Sequence, residues 1–222
     1  MIKKGVSICF IIILLACVFG LSGCVELRNA VTYEVTFTAS WSEATHPDDF
    51  PDNPHFSGLI GASHNDDVSF WSEGELASPG IKNMAETGSK NPLIREIAAA
   101  ILQKHALFPI SDDGLADSPG SISTTVRVSE NYPLVTLVTM IAPSPDWFVG
   151  VDSVSLYQNE RFIDELVITL YAYDAGTDSG VNYTSPDEAT EPPVPVYQIE
   201  GYPFFYEEEI APLGVFTFTK IE

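Results

Sequence analysis

The chain has 222 residues, with 10 Lys and Arg against 31 Asp and Glu, and a formal net charge of −21 at pH 7. This length suits one domain with short extensions. The acidity argues against nucleic acid as a partner, because a phosphate backbone must be neutralised by Lys and Arg. It also argues against binding to anionic lipid without a bridging cation, and it suits the solubilising surface of an exported protein.

The first 24 residues have the pattern of an export signal. Lys3 and Lys4 form a basic start, and residues 6–19 form an apolar segment that is too short for a comfortable membrane span. The sequence LSGC, which ends at Cys24, resembles a bacterial lipobox, in which the cysteine thiol accepts a diacylglyceryl group. We therefore expect residues 1–23 to be a lipoprotein signal peptide; an uncleaved anchor helix is the alternative.

Cleavage at this site changes the cysteine count and the charge. Cys9 and Cys17 fall in the removed segment, so Cys24 is the only cysteine of the mature chain, and a lipidated Cys24 leaves no possible disulfide. Loss of the two lysines takes the net charge from −21 to −23. Residues 24–30 are then a lipidated tether to a membrane. Val25 stands where an inner-membrane retention aspartate would be, which favours the bacterial outer membrane or the cell surface.

Alternation of apolar and polar residues predicts the β-strands of the mature chain. Residues 33–41 alternate strictly, which is typical of a half-buried strand. Further strand-like segments are separated by loops rich in Pro, Asp and Gly. In chain order the predicted strands are residues 33–41, 58–63, 68–71, 122–128, 134–141, 148–157, 162–173 and 215–221, and the main loops are residues 42–57, 111–120 and 184–197.

One helix is predicted after residue 90. Asn91 is placed to cap it, and Pro92 suits its first turn. A stripe at helical spacing then runs from Leu93 to His105 and is apolar except for His105, which predicts a helix that packs on a sheet. With about eight strands, residues 31–222 are expected to form an all-β domain, an antiparallel Greek-key β-sandwich with one packed helix.

Three aspartates are predicted to meet at one edge of a sheet. Residues 148–157 and 162–173 are separated by a short polar turn, so we expect them to form an up-and-down pair. Asp146 precedes the first strand, and Asp174 and Asp178 follow the second. Carboxylates repel one another unless a cation lies between them, and calcium prefers such oxygen ligands. A calcium loop is one interpretation of the cluster, and an ordinary hairpin turn is the other.

Two segments around these aspartates closely resemble the signature segments of spondin N-terminal domains, the family found in F-spondin and mindin. They are SPDWFVGV at residues 144–151 and DAGTDSG at residues 174–180. Shorter matches upstream extend the resemblance to roughly residues 31–183 in the same order. The resemblance implies a calcium-binding antiparallel β-sandwich that is used in extracellular adhesion and recognition.

The resemblance also implies a set of metal ligands. On the matching motifs these are Asp146, Asp174 and Asp178, completed by backbone carbonyls and water, and Asp152 and Asp187 are weaker candidates. This chain departs from its animal relatives, which carry disulfides. The domain must therefore be held by its apolar core, with bound calcium as a further clip.

Two other sets of residues are better explained by structural roles than by metal or ligand binding. His46, His55 and His64 stand nine residues apart, which fits no compact zinc motif, so we expect loop histidines held by hydrogen bonds. The three tryptophans are expected to be core or rim aromatics. They are Trp41, Trp71 and Trp147.

An enzyme is not expected. Ser63 or Ser57 with His64 would suit a serine hydrolase, but the sequence GASH lacks the trailing glycine of a nucleophile elbow. The favoured function is a lipid-anchored, calcium-binding recognition or adhesion domain, whose ligand is a surface protein, a glycan or a lipid. We expect its ligand-binding rim near the metal loops, including Trp147 and residues 42–57. The alternatives are a structural envelope lipoprotein in which calcium only rigidifies loops, and a hydrolase with an unrecognised site.

Overall fold

The structure is a computed structural model that describes residues 29–222. The predicted signal peptide, Cys24 and most of the tether lie outside this range, so cleavage and lipidation stay predictions. Within the described range, no helix is both long enough and apolar enough to cross a membrane.

Residues 29–222 contain fifteen strands and two helices, joined by turns and loops. Eight of the strands contain five or more residues, in agreement with the predicted number. In chain order the elements are β1 (Val31–Ala39), β2 (His55–Phe56), β3 (Ile60–His64), α1 (Pro79–Thr87), α2 (Leu93–Leu102), β4 (Ala106–Ser111), β5 (Gly120–Val128), β6 (Leu134–Ala142), β7 (Trp147–Ser155), β8 (Tyr157–Gln158), β9 (Arg161–Phe162), β10 (Glu165–Leu170), β11 (Tyr173–Asp174), β12 (Tyr197–Gln198), β13 (Phe205–Tyr206), β14 (Glu209–Ile210) and β15 (Gly214–Lys220).

Most of these strands form two antiparallel sheets. The four-stranded sheet has the order β10-β15-β1-β5, and the larger sheet has the order β12-β11-β7-β6-β3-β4, with β2 paired to β6. In the centre of the four-stranded sheet, Val35 of β1 lies opposite Phe218 of β15 and Thr124 of β5. The alternating burial of β1 confirms the strand predicted at residues 33–41. The expected all-β antiparallel sandwich is also confirmed.

Aromatic side chains fill the main core. Phe37 of β1 packs edge-to-face on Phe56 and on Phe216, with ring centroids 4.8 and 5.3 Å apart. Trp41 packs on Phe56 at 5.5 Å. All four side chains are buried, and each contributes about 1.5–3 kcal/mol relative to an exposed position. This apolar core holds the domain together.

Two helices, rather than the single one predicted, pack with the larger sheet around a second apolar cluster. Helix α1 begins after Ser78, whose hydroxyl accepts a hydrogen bond from the Ile81 N–H, and it ends at Gly88 in the left-handed conformation. Helix α2 follows Pro92 without a side-chain cap, so the prediction that Asn91 caps it was wrong. Ser78 and Pro79 are a helix-start signal that the sequence-based prediction missed, because the helix is only nine residues long and contains Gly80, a poor helix former.

Two strand predictions were also wrong. Residues 68–71 form no strand; Phe70 and Trp71 are instead buried in the cluster shared with the helices. Strand β4 was not predicted, because it follows the helix directly and contains Pro109. It lies at the edge of the larger sheet, where a proline is tolerated because it need not donate to a neighbouring strand.

The predicted pairing of residues 148–157 with residues 162–173 was wrong along most of its length. Strand β7 lies in the larger sheet between β6 and β11, whereas β10 pairs with β15 in the four-stranded sheet. The chain passes between the sheets through the hairpin β8–β9. Its two turn residues, Asn159 and Glu160, have positive φ values of 51° and 60°, as a tight two-residue hairpin turn requires.

Candidate metal and recognition site

The site forms where β11 pairs with the beginning of β7. Asp174 lies opposite Trp147 in this short ladder, and the Ala175 N–H donates to the carbonyl of Asp146 at 3.1 Å. The segments that carry the predicted aspartates therefore do meet at one sheet edge. They meet through the two residues of β11 rather than through the long hairpin expected from the sequence.

Asp146 is the centre of the hydrogen-bond network. Its side chain is fully buried, and its Oδ2 accepts the Thr177 N–H at 2.7 Å, the Thr177 hydroxyl at 3.1 Å and the Asp178 N–H at 3.0 Å. Its Oδ1 is buried without a hydrogen-bond partner. An unsatisfied buried carboxylate oxygen is costly and points to a missing partner, such as a cation.

Asp174 closes the turn that follows β11. Its Oδ1 accepts the Gly176 N–H at 2.7 Å, and its Oδ2 accepts the hydroxyl of Tyr197 at 3.0 Å. Gly176 has a φ of 74°, and a Cβ at this position would lie 2.0 Å from the carbonyl oxygen of Val194. Only glycine fits both this conformation and this close approach.

Asp178 ties the proline-rich segment at residues 184–197 to the site. Its Oδ1 accepts the Gly180 N–H at 2.8 Å, and its Oδ2 accepts the Glu188 N–H at 2.8 Å. A backbone bridge also joins Asp178 to Ala189. The segment that was predicted to be an exposed loop is thus anchored on one of the three aspartates.

Burial dominates the electrostatics of the cluster. Burial and then the charge of Asp174 raise the pKa of Asp146 to about 6, against the hydrogen bonds from Thr177 and Asp178. Burial also raises the pKa of Asp174, while hydrogen bonds from Gly176 and Tyr197 oppose the rise. Without a positive charge nearby, ionisation of Asp146 and Asp174 is therefore disfavoured.

One observation opposes a calcium site at this cluster, and another favours it. Among residues 29–222, no group of three or more His, Cys, Asp or Glu side chains is arranged so that it could hold a metal ion together. The Oδ1 of Asp146 is nevertheless available, and Asp174 and Asp178 have lone pairs beyond those used in their hydrogen bonds. The observation that favours a cation here is the buried Oδ1 of Asp146 without a donor, and calcium binding itself stays a prediction. Ligation by all three aspartates stays a prediction.

The weaker ligand candidates lie apart from this network. Asp152 accepts the hydroxyls of Ser72 and Ser153, each at 2.7 Å. Asp187 is exposed.

A cleft of about 500 Å³ opens beside the aspartates. Four large apolar or aromatic side chains on its walls are 42–69% exposed, which is typical of a binding surface. Trp147 also lines the cleft but is only 3% exposed, so it is a core aromatic beneath the rim, and its part in ligand binding stays a prediction. The four exposed side chains, which we call the cleft rim, are Val181, Val194, Tyr197 and Tyr202.

Residues 42–57 reach this cleft through Asp49, which accepts the hydroxyl of Tyr202. Sequence reasoning missed Tyr197 and Tyr202 altogether. They follow a proline-rich segment without strand periodicity, so no local signal shows that Tyr197 bonds to Asp174, 23 residues earlier.

The other candidate residues have structural partners. His64 lies in β3 rather than in a loop, and its ring nitrogens contact the Thr136 hydroxyl and the Asn65 carbonyl, each at 2.8 Å. Burial lowers the pKa of His64 and of His46, and Nε2 of His46 lies 3.3 Å from the Ala211 carbonyl. Ser63 accepts the Phe108 N–H, and Ser57 contacts Thr139. No nucleophile–base pair joins these serines to His64 in the described contacts.

Similarity to known proteins extends over most of the domain, including the site. The Spondin_N family matches residues 31–212. Spondin-2 of Rattus norvegicus is 35% identical over 209 residues, which cover 87% of this chain and 63% of the relative. Spondin-2 of Homo sapiens is 38% identical over 178 residues, which cover 78% and 53%. Spondin-1 of Gallus gallus is 36% identical over 166 residues, which cover 72% and 21%.

The chain thus spans less than two thirds of the length of each of these relatives. The matched region includes β1, both helices and the three aspartates. The chain therefore belongs to the spondin N-terminal domain family.

Proposed function

We propose that this protein is a calcium-binding extracytoplasmic recognition domain that a lipid on Cys24 holds at the bacterial cell envelope. The observation that carries the proposal is the position of the buried Asp146 cluster directly beside the cleft rim. Membership in the spondin family supports recognition rather than catalysis. The hydrogen bonds of Ser57, Ser63 and His64 also favour a non-enzyme.

Calcium would act here as a clip between distant segments. Bound at Asp146, it would supply positive charge to the oxygen that lacks a donor and would oppose the rise in the pKa of Asp146 and Asp174. Asp174 holds Tyr197, and Asp178 holds the backbone at Glu188. The metal would therefore also order the segment that supplies one side of the cleft.

The ligand in this proposal is a surface protein, a glycan or a lipid. The cleft rim offers apolar and aromatic contacts beside carboxylates, and bound calcium would add a site for an oxygen donor of the ligand. The net charge of −21 argues against nucleic acid.

Capture from the native envelope tests the proposal. The full chain, immobilised, is expected to retain a ligand in the presence of calcium and to release it in chelator. Val181→Ser and Val194→Ser should abolish capture, because both remove an exposed apolar contact from the rim. Val167→Ser is the matched control, because Val167 is 54% exposed on β10 and does not line the cleft.

Equal capture by all three variants and the wild type would contradict recognition through this cleft. Calcium-dependent stability without any capture would favour the second candidate, a structural envelope lipoprotein. That alternative has its own support in the structure, because the hydrogen bonds of the three aspartates already hold three segments of the domain together.

A further inference from the structure

A second cleft, of about 310 Å³, lies between β7, β10 and the segment before α1. It shares no lining residue with the cleft beside the aspartates. Its walls combine aromatic rings with two carboxylates. The residues that matter are Trp71, Tyr171, Tyr173, Glu73 and Asp152.

The aromatic wall is rigid. Trp71 packs edge-to-face on Tyr173 at 4.9 Å and on Phe148 at 5.0 Å. Its indole Nε1 is buried without a hydrogen-bond acceptor, and the side chain is only 7% exposed. Buried indole N–H groups normally find an acceptor, so this cleft has a donor that lacks its partner.

The carboxylates give the cleft its charge. The hydroxyls of Ser72 and Ser153 bond to Asp152 and fix its orientation, yet a carboxylate has further lone pairs for a ligand. Glu73 is exposed at the mouth.

We propose that this cleft binds an arginine side chain from a basic segment of a partner protein. A guanidinium stacks on aromatic rings and also bonds to carboxylates, which is the combination that the walls offer. The cleft volume lies at the small end of the range for ligand pockets, about 300–1,000 Å³, and suits one side chain.

The charge of the whole chain agrees with this choice of partner. A protein with a net charge of −21 attracts basic segments over long range and accelerates their association. The Asp146 cluster plays no part in this inference, so it stands apart from the calcium proposal.

Nuclear magnetic resonance of the ¹⁵N-labelled full chain in detergent, at constant calcium and salt, tests the inference. The chain has three tryptophans, and Trp71→Phe identifies the Trp71 indole signal by its loss. The peptide acetyl-Gly-Arg-Gly-amide is expected to shift this signal with a dissociation constant on the order of 1 mM, because only a few contacts are made. The same peptide with norvaline in place of arginine, which lacks the guanidinium, should not shift it.

Charge variants distinguish binding in the cleft from nonspecific electrostatic attraction to the acidic surface. Glu73→Gln should weaken binding by about two- to fivefold, and Asp152→Asn by about fivefold or more. Glu43→Gln is the matched control, since Glu43 is exposed outside the cleft and its loss changes the net charge equally. An unmoved Trp71 signal, an equal shift with norvaline, or equal weakening by Glu43→Gln and Glu73→Gln would overturn the proposal.

Discussion

Replacing Asp146 by asparagine tests the link between the buried carboxylate and calcium. Burial and Asp174 raise its pKa from 3.8 to about 6, so above pH 6 the folded state disfavours the charged form by about 3 kcal/mol. This penalty is absent below pH 3.8 and complete above pH 6. Asparagine retains an oxygen for the donors of Thr177 and Asp178 without the charge. Metal-free Asp146→Asn should therefore be more stable than the wild type by about 1–3 kcal/mol.

Calcium should offset much of this difference, because only the wild type is stabilised by the ion. At ten times its dissociation constant, the ion stabilises a protein by about 1.4 kcal/mol, or about 3–6 °C in Tm for a domain of this size. Asp146→Asn should show no such gain, because it lacks the anionic oxygen that is free for the metal. Thermal melts of the full chain in chelator and in millimolar calcium measure both effects. Asp52→Asn, an exposed control in the long loop after β1, should respond like the wild type.

Two results would refute this reasoning. A wild-type Tm that is indifferent to calcium, together with no binding by calorimetry, would remove the calcium site. A metal-free Asp146→Asn that is less stable than the wild type would show that the three hydrogen bonds to Oδ2 outweigh the cost of burying the charge.

Three further predictions concern other parts of the chain. Burial lowers the pKa of His64, so an NMR titration should give a value below 6.5, and a value at or above 6.5 contradicts this. The contribution of His64 to stability should fall as the pH drops below 6.5, opposite in sign to the contribution of Asp146. Gly176→Ala should lower the free energy of unfolding in urea by about 1–3 kcal/mol. Gly74→Ala is the control and should cost less, because Gly74 has a φ of 86° but no neighbour within 4 Å. Equal losses of stability would exclude the close contact with Val194 as the cause. Cys24→Ala should release the protein from membranes or leave its signal uncleaved, and an unmodified Cys24 in the intact mass of the native protein would disprove lipidation.

Periodicity alone predicted the strands and the helix whose own residue pattern shows one buried face. Strand β1 and strand β15 alternate strictly, and α2 has an apolar stripe, because each of these elements buries one face of its own. Residues 162–173 show the limit of such patterns. Alternation in this segment indicates a strand with one buried face, but it does not specify which sheet that strand joins, and β10 joins the four-stranded one.

The candidate site was also predictable only in part. Asp146, Asp174 and Asp178 could be singled out from the sequence, because carboxylates and glycines in two short segments form a recognisable motif. The tertiary structure alone decided that Oδ1 of Asp146 lacks a donor, that Tyr197 bonds to Asp174, and that a cleft opens beside them. These features arise from contacts between segments more than 20 residues apart, whose meeting depends on the packing of the whole sandwich rather than on the residues next to them in the chain.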